Sequence, residues 1–135
     1  MKTRRSGEVT VGQELPELVM PITATLVIGG AIASRDFQDV HHDRELARAA
    51  GAKDVFMNIL TTNGLVGRYA TDWAGPEALL RKISIRLGAP NYPSDTMRMS
   101  GRVASVDGKA IRLEVRGENS LGDHVTGTVD LELPA

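Results

Sequence analysis

Phe56-Met57-Asn58-Ile59-Leu60-Thr61-Thr62-Asn63-Gly64-Leu65-Val66-Gly67-Arg68-Tyr69-Ala70-Thr71-Asp72-Trp73 is the stretch on which the fold turns. It reads as one long helix, apolar on more than one side, with two glycines inside it and Gly75-Pro76 as its stop. Each interior glycine costs a helix about 1 kcal/mol against alanine. Close packing normally offsets such a cost, so this helix is expected to lie tightly against a sheet.

Downstream the apolar period changes. Ile83, Ile85 and Leu87 alternate with Ser84 and Arg86, and Met97, Met99 and Val103 with Arg98, Ser100 and Arg102. Ile111, Leu113 and Val115 alternate with Arg112, Glu114 and Arg116; Val125, Val129, Leu131 and Leu133 share a face opposite Thr126, Thr128, Asp130 and Glu132. Period-two patterning means four strands, each with one buried face. Asp107-Gly108 marks a hairpin between the second and third of them. Upstream, Asp43 is an N-cap candidate for a short helix from Arg44 to Ala50, stopped by Gly51. Residues 22–33, rich in β-branched side chains, read as a strand interrupted by Gly29-Gly30. Strand, short helix, long buried helix and four antiparallel strands make an α+β chain. A sheet wrapped around one helix, the hot-dog arrangement, satisfies that order. It leaves a sheet edge and one end of the helix poorly covered, so association with a second chain is expected.

At 135 residues the chain fits a single domain, taken as 1–135, large enough for a real core. Its 16 basic and 17 acidic residues give a net charge of -1, which provides no field for gathering nucleic acid or anionic lipid. The absence of cysteine excludes disulfides, thiolate nucleophiles and cysteine zinc sites. Met1 to Arg5 is basic, but Glu8, Gln13, Glu14 and Glu17 interrupt the apolar run a signal peptide would need. No segment approaches the ~20 apolar residues that cross a bilayer. The expected setting is the cytoplasm, away from membranes.

The densest polar cluster is Ser34-Arg35-Asp36-Phe37-Gln38-Asp39-Val40-His41-His42-Asp43, in a connection where a rigid frame can present reactive groups. Three readings compete. The first is a solvated turn whose acids cap the next helix. The second is a metal site, which has the right donor types, although adjacent histidines rarely point at one ion. The third is a catalytic pair.

Here the chain resembles the MaoC-like (R)-specific enoyl-CoA hydratases. Their signature joins a Gly-Asp pair to an Asn-Pro, an aliphatic residue, a His and, six positions on, a small residue. Asp36, Val40, His41 and Ala47 match it; Arg35, Gln38 and Asp39 stand where the family has Gly, Asn and Pro. The resemblance continues through Asp43, Ala49-Ala50-Gly51, the 64–73 half of the long helix and Asn119-x-x-Gly122, nearly the whole chain. The runs 36–43, 54–61 and 71–76 are similar to the small catalytic subunit of the actinobacterial steroid side-chain hydratases. That likeness implies a second MaoC-like subunit lacking the pair, a hetero-oligomer (a heterotetramer) and an unsaturated steroid acyl-CoA substrate. It leaves association with a downstream aldolase open. Coenzyme A would enter as part of the substrate, and no separate cofactor and no metal is implied.

Hydrating an α,β-unsaturated thioester requires a water aimed at Cβ, a proton for Cα and stabilisation of charge on the thioester oxygen. Asp36 and His41 are the candidates for the first two tasks; which one is the base stays open, because coupled groups titrate as a pair. In the resembling family a His-Gly pair begins the central helix, and a backbone N–H there faces the thioester oxygen. Asn58 and Ile59 occupy those places, so the donor implied is the Ile59 N–H.

Other residues carry structural readings. His42 suits a helix start, and His124 a turn entering a strand. Met97 and Met99 suit the core, and Trp73 a core or interface position. Arg98, Arg102, Arg112 and Arg116 suit an outward strand face. Two alternative functions remain. Hot-dog thioesterases usually place an acid on the central helix, and none stands between Phe56 and Tyr69. A non-catalytic acyl-CoA-binding subunit would not need both Asp36 and His41.

Overall fold

The computed structural model describes residues 1–135. Its elements are β1 (Glu14–Ile22), α1 (Ala24–Ala33), α2 (Arg44–Ala49), α3 (Ile59–Ala74), β2 (Leu79–Leu87), β3 (Asp95–Asp107), β4 (Ala110–Asn119) and β5 (Gly122–Glu132). Short 3-10 turns lie at Ser6–Glu8 and Asp39–His41. The five strands form one antiparallel sheet in the order β1-β3-β4-β5-β2.

Helix α3 packs against β1 and β2, the two outermost strands, and against β5. Five flat strands span about 19 Å at the usual spacing, nearly twice the width of a helix. One helix can touch both margins only if the sheet curls around it. Thr62, Val66, Gly67, Tyr69, Ala70, Trp73 and Ala74 form its buried face. At Gly67 a Cβ would lie 3.3 Å from Ile83 Cδ1, so this glycine does mark a close approach to the sheet. Gly64 does not: a Cβ there would meet nothing within 4 Å. The helix begins at Ile59 rather than Phe56, because the Asn58 side chain accepts the Thr61 N–H and fixes the N-cap. Gly75, at φ 95°, ends it.

Of the 22–33 stretch, Ile22 ends β1, and Ala24–Ala33 form a helix rather than a strand. Thr23 caps it by accepting the Leu26 N–H at 3.0 Å, and Val27 and Ala31, one turn apart, are its buried residues. Gly30 explains the glycine pair: a Cβ there would come within 2.3 Å of Thr61 Oγ1. Its missing side chain lets α1 press against the first turn of α3, and packing overrides β-propensity.

The alternation at 97–103, 111–116 and 125–133 corresponds to β3, β4 and β5, with Met97, Met99, Leu113, Val125 and Val129 fully buried. Asp107-Gly108 turns β3 into β4, Gly108 having φ 57°. In β2 the same alternation does not give a buried face; Ile83 and Ile85 are half-buried, while Leu79, Leu80 and Leu87 are exposed. It is an edge strand. The other edge, β1, went unread because Pro16, Pro21, Glu14 and Glu17 break its pattern; prolines and charges are common edge-strand devices. Arg98, Arg102 and Arg112 lie on the outward face and pair with Glu17, Glu114 and Asp130 at 2.6–2.8 Å. No helix is long and apolar enough to cross a membrane.

Candidate active site

Asp36 is placed by the way α1 ends. The Arg35 N–H donates to Ile32 O and the Asp36 N–H to Ala31 O, with Arg35 left-handed at φ 57°. This is a Schellman end, in which the left-handed residue is usually glycine. Arg35 keeps the geometry at a backbone cost of roughly 1–2 kcal/mol. His41 closes the 3-10 turn that begins at Asp39. Asp39 stands at the turn's first position, where a proline fits well and an acid is also favourable. Of the three departures from the hydratase signature, Asp39 suits its position, and Arg35 keeps the glycine-like geometry at a backbone cost.

The segment leading into α3 holds the imidazole. Phe56 O accepts from His41 Nδ1 at 2.7 Å, the Phe56 N–H donates to Val40 O, and the two rings meet edge-on with centroids 4.9 Å apart. A carbonyl can only accept, so neutral His41 carries its proton on Nδ1 and presents a lone pair at Nε2. Nε2 lies 3.5 Å from Asp36 Oδ2. Both side chains are mostly enclosed, His41 at 9% and Asp36 at 19% exposure.

Asp36 Oδ2 also accepts from Asn58 Nδ2 at 3.1 Å, and Oδ1 from the Gln38 N–H at 3.3 Å. The Asn58 amide is the main influence holding the Asp36 carboxyl below its ordinary range; desolvation opposes it, while the Gln38 N–H and His41 reinforce it. Asp36 is thus a carboxylate, and an acceptor, at neutral pH. Two acceptors facing each other this closely can share one water that donates a bent hydrogen bond to each, with its oxygen lone pairs turned outward.

Beside the pair, α3 presents its N-terminus. The Thr61 N–H is taken by the Asn58 side chain and the Thr62 N–H by Asn58 O, leaving the Ile59 and Leu60 amides without partners in the chain. Ile59 and Leu60 are half exposed, and Phe37, on the loop after Asp36, is more exposed still. A cleft of about 510 Å³ lies across β1, β3 and β4 and is not lined by either member of the pair.

The structure thus brings Asp36, His41 and the start of α3 together. His42 turns elsewhere, Nε2 lying 3.1 Å from Phe37 O, and so does not converge with His41. His124 is buried within β5 rather than in the preceding turn; Nδ1 bonds Ala89 O and Nε2 bonds the Thr62 hydroxyl, each at 2.7 Å. Burial pushes it below the ordinary imidazole range. Asn58 and Ser34, which complete the hydrogen bonding around Asp36, were not read as site residues from sequence. An asparagine immediately before a long helix was the available signal. Asn119, in the Asn119-x-x-Gly122 turn, donates to Pro90 O and to Asn91 Oδ1, and Asn91 O accepts the Met57 N–H. That turn therefore braces the approach to α3.

No family model matches the chain. Among solved structures, a chain of the ChsH1-ChsH2 complex from Mycobacterium tuberculosis superposes with a TM-score of 0.90 at 54% identity, over 92% of this chain and 98% of that one. The unliganded (R)-hydratase PhaJ1 from Pseudomonas aeruginosa, 22% identical, shares the fold with a TM-score of 0.86 over 96% of this chain and 85% of its own. The beta subunit of 3-oxo-4,17-pregnadiene-20-carboxyl-CoA hydratase from Mycobacterium tuberculosis is 54% identical over 123 residues, 91% of this chain and 95% of that relative. The chain belongs to the MaoC-like hydratases, hydro-lyases built on the hot-dog fold. Within that family it is a homologue of the beta subunit just described.

Proposed function

We propose that this chain is the catalytic subunit of a heteromeric enoyl-CoA hydratase acting on an α,β-unsaturated steroid side-chain CoA thioester. The observation that carries the chemistry is the facing of His41 Nε2 and Asp36 Oδ2 at 3.5 Å, with the Nδ1 proton committed to Phe56 O. A water donating to both has its lone pairs directed at substrate. As its oxygen bonds to Cβ, the Nε2 lone pair takes its proton, and the Asp36 carboxylate stabilises the imidazolium. Asp36 is a poor base, because the Asn58 amide holds its carboxyl low. The enolate charge moves to the thioester oxygen, where the Ile59 N–H and the α3 dipole stabilise it. The pair then returns one proton to Cα, so one water is consumed and the site ends in its starting state.

The substrate class and the second subunit rest on the 54% identical relative, whose substrate is a pregnadiene carboxyl-CoA, and on the two-component ChsH1-ChsH2 complex. The exposed Phe37, Ile59 and Leu60 beside the pair supply apolar surface for a bulky acyl group and its second wall. Thioester hydrolysis is less well supported. The one acid on α3, Asp72, pairs with Arg68 in its last turn, about 20 Å along the helix from Asn58.

The test incubates the chain with an unsaturated steroid side-chain CoA thioester, alone and with a co-expressed MaoC-like partner, and follows product mass. The expected result is a gain of one water that requires the partner. Water gained by this chain alone would remove the partner from the reading, and release of free coenzyme A would replace hydration with hydrolysis.

A further inference from the structure

Asn58 is 1% exposed, and every polar capacity of its amide is used. Oδ1 accepts from the Thr61 N–H and the Thr61 hydroxyl; Nδ2 donates one hydrogen to Ser34 Oγ at 2.9 Å and the other to Asp36 Oδ2 at 3.1 Å. The amide has one orientation that satisfies this set, since turning it over would set NH2 against the Thr61 N–H. Ser34 adds to the constraint: its hydroxyl donates to Gly30 O at 2.7 Å, which leaves a lone pair for Asn58.

One side chain therefore ties the end of α1, the Asp36 carboxylate and the first turn of α3. We propose that Asn58 is a positioning residue for hydration, holding Asp36 and the Ile59 amide in one rigid unit so that the water site and the oxyanion donor keep a fixed separation. This rests on the hydratase reading of the same site. An N-cap alone would need only the Oδ1 half of the amide; the Nδ2 half is aimed at the carboxylate. The general (R)-hydratase signature that this chain resembles has a histidine here, so the contact is not one which that signature supplies.

The variants that separate the two roles are Asn58→Asp and Asn58→Ser. Each keeps an oxygen for the Thr61 N–H, and each removes the donor to Asp36. With the partner present, kcat at neutral pH is expected to fall at least tenfold with little change in KM. The Asp36 carboxyl should titrate higher in Asn58→Ser and higher still in Asn58→Asp, where a second carboxylate adjoins the first. A readout independent of turnover is the carbon-13 titration of the Asp36 carboxyl, which should move up in both variants. An unmoved titration in a folded variant overturns the positioning role, whether or not hydration is detected. Absence of hydration in the wild-type complex, with the titration still moved, would instead remove the hydratase reading and leave the coupling standing. If Asn58→Ser fails to fold, Asn58→Asp carries the same measurements, with Ser34→Ala as a milder perturbation of the amide. An unchanged titration in the variants that do fold would overturn the proposal in the same way.

Discussion

Asp36 and His41 meet because two short backbone devices, a Schellman end and a 3-10 turn, fix the chain on either side of Phe37 and Gln38. Removing the charge at Asp36 should spare those devices, which use only backbone groups. Asp36→Asn is therefore expected to fold with an unchanged circular dichroism spectrum and to lose roughly 10²-fold or more in kcat, measured by hydration of the enoyl-CoA. Arg35 makes the opposite kind of prediction. Its left-handed backbone is strained and its guanidinium makes no hydrogen bond or ion pair in the chain, so Arg35→Gly should gain about 1 kcal/mol in urea denaturation. At this scale the sequence was informative about the two side chains proposed to react, since Asp36-x4-His41 with its flanks could be read directly, and the structure sets them 3.5 Å apart. It placed Asn58 at the start of α3 but did not link Asn58 or Phe56 to the pair, because their contributions are an amide orientation and a backbone carbonyl that only the three-dimensional path brings there.

Helix α1 shows why local pattern misleads. Ala24 to Ala33 is rich in β-branched residues and interrupted by two glycines, yet it folds as a helix because Thr23 caps it and Gly30 seats it on Thr61. The two glycines should respond differently to substitution. Gly30→Ala places a Cβ against a stiff β-branched side chain and should cost about 1–3 kcal/mol in thermal or urea unfolding. Gly29→Ala meets open space in a helix and should be neutral or stabilising by up to about 1 kcal/mol. Equal losses at both positions would show that α1 does not pack on α3 in this way. The strands were more legible than this helix, because β3 to β5 each bury one face and alternation reports that burial. Both edges were poorly legible for related reasons. β1 carries prolines and acids, and β2 keeps its alternation without covering its apolar side within one chain.

For the whole molecule, acid should weaken the fold in two stages of the same sign. His124 is neutral and buried between β5, Thr62 and Ala89, with its folded pKa below its unfolded value of 6.5. Below about 6.5 the unfolded chain binds a proton that the folded chain refuses, so stability falls as pH falls. Asp36 and Asp130 are held below their unfolded value of 3.8, Asp36 chiefly by Asn58 and Asp130 chiefly by Arg112, and their contributions are lost only as pH falls through still lower values. Urea midpoints should decline between about pH 7 and pH 5 in the wild-type chain and stay flatter in His124→Gln. A hot-dog sheet around one helix was readable from the change of period after Gly75, and with it an uncovered sheet edge and helix end; the folded chain identifies them as β2 and the apolar rim at the start of α3. Those exposed surfaces match a site completed by a second subunit. The most direct test of the account is hydration of an unsaturated steroid side-chain CoA thioester in oxygen-18 water by the co-expressed complex, wild type against Asp36→Asn. The account predicts that the wild-type product gains one labelled water in its acyl chain and that the variant forms almost none. Equal labelling by both proteins would contradict it.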